Sequence, residues 1–176
     1  MLTKKEGMIC MHTVRQGIPV PLFSPDGGAA EDFDEEDLPE APEEDEYGDS
    51  NAPEEAEMMM EGRLVVTSRR AELTYHESEL TGMEGAITKI GFDTDHPELI
   101  SMLRGGSVST AMIFEPHQRH ICLYNTPFSS FEVCIHTLEV KNRLLEDGEI
   151  YLDYLIEIRG AQSERCKMTM KVTKTA

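Results

Sequence analysis

Two histidines and two cysteines in the segment 119–137 are the residues whose types best suit metal or thiol chemistry. Thiolate and imidazole groups are the ligands that zinc prefers in proteins. If this segment forms a β-hairpin with its turn centred on Phe128, the register places Cys122 opposite Cys134 and His120 opposite His136. The sequence therefore brings a set of zinc-type ligands to one face of a predicted hairpin.

We predict this register from the positions of the apolar residues in the hairpin. We expect Ile121 and Leu123 to face the same side as three apolar residues of the second strand, Phe131, Val133 and Ile135. Opposed pairs on a rigid sheet seldom converge into a tetrahedron, and the short ligand spacing of typical zinc sites is absent. We therefore predict no metal and no other cofactor, and favour cysteines that are free or reversibly oxidised as a pair.

Other signatures of catalysis are missing from the chain. It contains no G-x-S-x-G elbow, no H-E-x-x-H motif, no P-loop and no G-x-G-x-x-G sequence before a helix. Paired carboxylates occur mainly in the acidic segment from Asp26 to Glu57, where no fixed geometry for acid–base chemistry is expected. The sequence thus predicts a protein that is not an enzyme.

The acidic segment dominates the charge of the chain. It holds 16 of the 34 Asp and Glu residues, and no Lys or Arg occurs between Arg15 and Arg63. The formal net charge of −18 therefore belongs mainly to this segment, since the remainder carries about −2. Its composition cannot bury enough apolar surface to offset the entropy of ordering, so we predict a disordered acidic insertion over residues 17–57. A solvated loop that aids solubility and a loop that docks a basic protein partner are both consistent with it.

The charge also argues against several classes of partner. A strongly acidic chain repels the nucleic-acid backbone and an anionic membrane surface, so we expect neither nucleic-acid nor membrane binding. The first residues lack an apolar signal region, and no apolar run approaches the length of a transmembrane helix. We expect a cytoplasmic protein.

Outside the acidic segment, apolar and polar residues alternate with period two. In the segment 148–160, the residues Ile150, Leu152 and Tyr154 share one parity, while Glu149 and Asp153 share the other. This alternation predicts β-strands with one buried and one solvated face. The same analysis predicts ten strands near 7–16, 58–67, 70–78, 84–93, 97–104, 107–114, 119–125, 130–141, 148–159 and 163–174.

Short strands joined by hairpin turns, with no convincing helix between them, indicate an antiparallel meander. A meander of this length removes its exposed edges by closing into a barrel. We predict an all-β fold, a β-barrel of about eight to ten strands, as a single domain over residues 1–176. The long acidic loop then connects strands one and two.

The chain resembles the YwiB-like family of bacterial proteins of unknown function. The segments that carry the resemblance are MEGRL at 60–64, LTYHESELTGMEGAITKI at 73–90, LRGGSVSTAMIFE at 103–115 and RHICLYNTPFSSFEVCIHT at 119–137, together with the closing pair of strands. The resemblance implies a lipocalin-like (calycin) β-barrel and no particular activity. In this chain the acidic insertion is far longer than a hairpin needs, and Ser129 replaces a glycine typical of the family.

The same resemblance singles out polar positions as candidate ligand-binding residues of the barrel interior: Tyr75, Glu77, Thr88, Arg104, Tyr124 and Thr137. Arg104 precedes a Gly-Gly turn, and its guanidinium could pair with Glu77 or receive a ligand carboxylate. The alternative is that these groups satisfy one another and the backbone. We predict a non-enzymatic barrel that binds a small, partly apolar or carboxylate-bearing ligand. The alternative function is a protein-interaction module that docks a basic partner through the acidic loop.

Overall fold

The structure, a computed structural model, describes residues 1–18, 52–158 and 163–174. Ten β-strands account for most of these residues. They are β1 (Thr3–Ile18), β2 (Glu54–Val66), β3 (Arg70–His76), β4 (Ile87–Asp93), β5 (His96–Gly105), β6 (Ser109–Phe114), β7 (Arg119–Asn125), β8 (Ser130–Arg143), β9 (Glu149–Ile158) and β10 (Ser163–Lys174). A single 3₁₀ turn, Glu79–Thr81, precedes β4.

The strands form one closed antiparallel barrel in which each strand pairs with its sequence neighbours. Closure comes from β1, which pairs with β2 on one side and with β10 on the other. The pairing of Ile9 with both Met60 and Val172 illustrates this double ladder. Closure satisfies the hydrogen-bonding edges that an open sheet would expose. The predicted all-β meander and barrel are therefore confirmed.

The barrel has one filled end and one open end. Alternate residues of every strand point inward, and those nearest the β2–β3, β4–β5 and β8–β9 turns form an apolar core. Ile90, Ile100, Phe114 and Ile150 are fully buried there. Towards the β3–β4, β5–β6 and β7–β8 turns the inward residues include more methionines and more polar side chains. This second end, called the rim below, comprises the ends of β1, β3, β5, β7 and β9 and the starts of the strands that follow them.

Both strands that flank the acidic insertion are longer than predicted. β1 continues to Ile18, and β2 begins at Glu54. The predicted boundaries of the insertion, 17 and 57, are therefore wrong by a few residues at each end. The cause is the ladder with β1, where Arg15 pairs with Glu54 and recruits these acidic residues into the sheet. The prediction of disorder falls mainly on residues 19–51, which lie outside the described residues.

The ladder between β6 and β7 is the shortest in the barrel. It is confined to the pairs Ser109–Asn125 and Thr110–Tyr124. Within the described part of the chain, 111–114 and 119–123 form no further ladder with each other, although each is paired on its other side. The β6–β7 connection instead bonds to β8, where the His117 amide donates to the Thr137 carbonyl at 2.9 Å. The barrel thus has a seam between β6 and β7.

The predicted register of the β7–β8 hairpin is wrong by one residue. The structure pairs Ile121 with Cys134 and Cys122 with Val133. Four residues, 126–129, form the turn, closed by a 2.8 Å hydrogen bond from the Thr126 amide to the Ser129 carbonyl. The centre of the turn therefore falls before Phe128 rather than on it.

This shift separates the proposed zinc ligands. Cys122 and His120 have the inward parity of their strand, whereas Cys134 and His136 have the outward parity of theirs. Ile121 and Leu123 consequently face solvent and are 68% and 59% exposed. The prediction that they face the same side as Phe131, Val133 and Ile135 is wrong, because the turn, rather than the apolar pattern, sets the register.

Candidate functional site

A row of polar side chains crosses five neighbouring strands near the rim. Tyr75 of β3 pairs with Thr88 of β4, which pairs with Arg104 of β5. Arg104 pairs with Thr110 of β6, and Thr110 with Tyr124 of β7. Cross-strand partners on one face have Cβ atoms about 5 Å apart, so these inward residues form a continuous belt.

The centre of this belt is a buried ion pair between Arg104 and Glu77. Nη2 of Arg104 lies 3.2 Å from Oε1 of Glu77, and the two side chains are 9% and 1% exposed. The Arg104 Nε–H also donates to Oε1, at 3.2 Å, and to Oγ1 of Thr88, at 3.0 Å. The Thr88 hydroxyl in turn donates to the same carboxylate oxygen, at 2.5 Å. Because these three groups all reach Oε1, the second carboxylate oxygen of Glu77 is not engaged by them.

Two tyrosines flank the ion pair. Tyr75 is almost fully buried, and its pKa is raised, first by burial and then by the charge of Glu77. The hydroxyl of Tyr124 donates to the sulfur of Met83 at 3.4 Å. The ring of Tyr124 stacks on Phe131, with centroids 5.3 Å apart. The stacked rings present a broad aromatic surface beside the belt.

A second row of inward polar residues lies across the opposite wall. Thr137 pairs with Tyr154, Tyr154 with Cys166, Cys166 with Arg15, and Arg15 with Glu54. Burial raises the pKa of the Tyr154 hydroxyl well above its usual value, and burial likewise raises the pKa of the Cys166 thiol. Arg15, by contrast, lies at the rim, where its Nε is 3.7 Å from Oε1 of Glu164.

The two rows enclose a cavity of about 460 Å³ that opens at the rim. This volume lies within the range of about 300–1,000 Å³ that is usual for small-molecule pockets. Most of the lining is apolar or aromatic, and six thioether side chains contribute to it: Met11, Met58, Met83, Met102, Met112 and Met168. Methionine is flexible and polarisable, so such a wall adapts its shape to an apolar guest.

Five of the six residues predicted from the sequence lie together in or beside this cavity. Tyr75, Glu77, Arg104 and Tyr124 line it, and Thr88 supports Arg104 from the neighbouring strand. Thr137 lies in the second row and does not line the cavity. Its buried hydroxyl oxygen has no hydrogen-bond partner among the described residues.

Several lining residues were missed by the sequence analysis. Arg15 and Glu54 resemble solvated residues at a strand end, and Tyr154 and Cys166 resemble ordinary core positions in an alternating strand. The signal that could have found them is register, since they are successive partners across β2, β1, β10 and β9. Register between distant strands is not visible in a single sequence.

Metal coordination finds no support in the residues that the structure describes. They contain no group of three or more His, Cys, Asp or Glu side chains placed to hold a metal ion. Four free cysteines, Cys10, Cys122, Cys134 and Cys166, are spread over four strands. No helix within the described ranges is long and apolar enough to cross a membrane.

Comparison with known proteins identifies the family of the chain and a solved structure with a similar fold. Residues 43–170 match the sequence profile of a family described as a domain of unknown function, DUF1934. The chain is also similar to the crystal structure of the ywiB protein from Bacillus subtilis, with a TM-score of 0.59 over 96% of this chain and 94% of that chain. At 14% sequence identity this similarity concerns the fold alone. No curated protein matches the chain.

Proposed function

The chain belongs to the DUF1934 family, as its resemblance to YwiB-like proteins predicted, and from this premise we propose that the barrel binds a small, partly apolar ligand in its interior. The observation that carries the proposal is the cavity of about 460 Å³ at the rim. A barrel of this size either fills its interior with side chains or holds one small ligand. In this barrel one end is filled with side chains and the rim end contains the cavity. Only the rim end is therefore suited to holding a ligand.

The chemistry of the walls supports a partly apolar guest. Burial of apolar surface contributes about 25 cal/mol per Å² to binding, before the cost of immobilising the ligand is subtracted. The thioether and aromatic side chains supply that surface. The Arg104–Glu77 pair supplies a few fixed polar groups at one side, which is the usual composition of a small-molecule site.

A non-enzymatic role agrees best with the groups present. Arg104 and Glu77, the two buried charged groups at the cavity, are engaged with each other. The thiol of Cys166 has a raised pKa because it is buried, which favours the unreactive protonated form. The arrangement therefore supports binding rather than nucleophilic or acid–base catalysis.

The alternative function, docking of a basic protein partner by the acidic loop, stays a prediction. Most of that loop, residues 19–51, lies outside the described residues. The loop and the cavity are separable in an experiment, because the docking of a basic partner depends strongly on salt and apolar binding does not.

Native mass spectrometry of gently purified protein tests the proposal directly. We expect a co-purifying small molecule, or saturable one-to-one binding of an apolar fluorescent dye that other apolar molecules displace. A bare protein mass together with no saturable dye binding would contradict a binding cavity. The acidic loop would then become the better candidate for function.

A pair of matched variants locates the binding site. Val133 lines the cavity, so Val133→Phe places extra volume inside it and should abolish dye binding. Ile121→Phe adds an aromatic ring on the outer face of the neighbouring strand and should leave dye binding unchanged. Circular dichroism of both variants confirms that the barrel is retained. Equal loss of binding in the two variants, or in neither, would place the dye outside the cavity.

A further inference from the structure

The charges around the cavity indicate the sign of the ligand's head group. Five side chains that line the cavity carry a formal charge at neutral pH, two guanidinium groups and three carboxylates: Arg15, Arg104, Glu54, Glu77 and Glu164. Their formal sum is negative by one charge. All five lie at the rim end of their strands, so any ligand that enters with its apolar part first leaves its head group among them.

Both cations already have carboxylate neighbours. Arg104 is held by Glu77 and Thr88: its Nε–H and the Thr88 hydroxyl donate to Oε1 of Glu77, and its Nη2 lies 3.2 Å from the same oxygen. Arg15 lies 3.7 Å from Glu164 and pairs across the ladder with Glu54. A ligand carboxylate at Arg15 or Arg104 would compete with an existing carboxylate partner and lie close to it. Like charges in such proximity are disfavoured.

A cationic head group, by contrast, would find carboxylate oxygens that have no cationic partner in the described part of the chain. Glu54 has no ion-pair partner within 4.0 Å among the described residues, and the second oxygen of Glu77 is not engaged by Arg104 or Thr88. The stacked rings of Tyr124 and Phe131 line the same cavity. The faces of aromatic rings attract ammonium groups, and methionine sulfur is also a soft, polarisable neighbour.

The acidic segment between β1 and β2 adds further negative charge, which also favours a cationic ligand. Residues 19–51 connect the rim end of β1 to the rim end of β2 and contain 13 Asp and Glu residues without Lys, Arg or His. Both ends of this acidic segment are covalently joined to rim residues, those of β1 and β2. The field of such a charge raises the local concentration of cations and lowers that of anions.

We infer that the rim cavity takes a cationic amphiphile, an organic ammonium with an apolar body, oriented with the body in the methionine-lined interior and the ammonium at the carboxylates of the rim. This inference rests on the proposed function and specifies its ligand class. It replaces the carboxylate-bearing ligand suggested by the sequence, because Arg104 is already paired with Glu77.

Three probes with one apolar body test the inference. Decyltrimethylammonium, decanoate and decanamide are titrated into the full chain below their micelle concentrations, by isothermal calorimetry at pH ~7.5 and low salt. We expect the ammonium to bind about tenfold more tightly than the carboxylate, with the neutral amide between them. At about 0.5 M salt this ratio should contract, because exposed charges at the rim are screened.

Matched charge variants separate the rim from the overall acidity. The double variant Glu54→Gln/Glu164→Gln removes two rim carboxylates and should reduce the preference for ammonium to about threefold or less. The control Glu61→Gln/Glu98→Gln changes the net charge equally, at exposed positions away from the rim, and should keep the preference. An equal reduction in both variants would overturn the inference, since the overall charge would then be responsible.

The outcomes also distinguish the inference from the function on which it rests. Equal affinity for the three probes, or tightest binding of decanoate, would overturn the inference while a binding cavity stands. If none of the three probes binds, and no apolar dye binds either, the proposed function itself fails.

Discussion

Nη2 of Arg104 and Oε1 of Glu77 lie 3.2 Å apart inside a barrel whose buried side chains are mainly apolar. The two residues are far apart in sequence but adjacent across β3, β4 and β5. Each is the reason why the other can be buried, because an isolated charge in the interior carries a large desolvation cost.

Replacement of one partner of this ion pair should therefore lower the free energy of unfolding more than replacement of both. Glu77→Leu leaves the Arg104 guanidinium buried without its partner, and we expect a loss of about 3–5 kcal/mol in the free energy of unfolding. The double variant Glu77→Leu/Arg104→Met should recover more than half of that loss. Urea unfolding of the two single variants and the double variant measures the coupling. Additive losses would show that the pair does not act as a unit.

The Gly105–Gly106 turn that follows Arg104 offers a matched pair of alanine substitutions. Gly106 has a φ of 121°, and a Cβ there would lie 2.5 Å from the carbonyl oxygen of Gly85. Gly105 has no positive φ, and a Cβ at that position would meet no other atom within 4 Å. We expect Gly106→Ala to destabilise the barrel by about 1–3 kcal/mol and Gly105→Ala by less than about 1 kcal/mol. Similar midpoints of thermal unfolding for both variants would contradict this.

The fold was largely predictable because it depends on a local pattern. Period-two alternation indicated ten strands, and the observed bounds differ from the predicted ones by a few residues at most ends. The largest differences, of four residues, are at the starts of β1 and β2. The early start of β2 arises because pairing with β1 recruits acidic residues of low strand propensity. Tertiary pairing of that kind has no local signal.

The site was only partly predictable because it depends on register. Arg104 and Glu77 lie close to recognisable turns, so their pairing was one of two interpretations available from the sequence. The β7–β8 hairpin misled the prediction, since its outward residues Ile121 and Leu123 are more apolar than its inward residue Cys122. Nothing in the sequence alone indicates that a four-residue turn overrides that pattern.

An engineered disulfide tests the observed register of this hairpin. Because Ile121 lies directly opposite Cys134 on the outer face, Ile121→Cys in a Cys122→Ser background should form a disulfide with Cys134 under mild oxidation. The parent chain should not link Cys122 to Cys134, since their side chains have opposite parity. Peptide mapping by mass spectrometry without reduction identifies the bond. A native Cys122–Cys134 disulfide would restore the register predicted from the sequence.

The buried tyrosines predict how stability responds to alkaline pH. Burial raises the pKa values of Tyr75 and Tyr154, so above pH ~10 the unfolded chain loses these protons before the folded chain does. The unfolded state then binds fewer protons, and the free energy of unfolding falls as pH rises. The contribution is complete below pH ~10 and is lost as pH rises towards the folded pKa values.

Replacement of both tyrosines by phenylalanine should flatten this alkaline loss. We expect Tyr75→Phe/Tyr154→Phe to lose less stability than the parent chain between pH ~9.5 and ~11.5, measured by urea unfolding with reductant present. Comparison with the parent at each pH cancels the contribution of the cysteines other than Cys166, whose thiol contacts Tyr154, so a Cys166→Ala background is used for both proteins. Parallel curves for the two proteins would show that neither hydroxyl is coupled to folding.

The seam between β6 and β7 should be the least protected part of the barrel. Its ladder ends at Thr110–Tyr124, so 111–114 and 119–123 each lack ladder bonds on one side. Each missing bond lowers local stability by about 0.5–1.5 kcal/mol, and such regions open more readily than the global unfolding reaction requires. Hydrogen exchange measured by mass spectrometry should therefore be at least about tenfold faster in these segments than in Met8–His12, which is paired on both sides. Uniform protection around the barrel would mean that packing of the seam side chains compensates for the missing ladder.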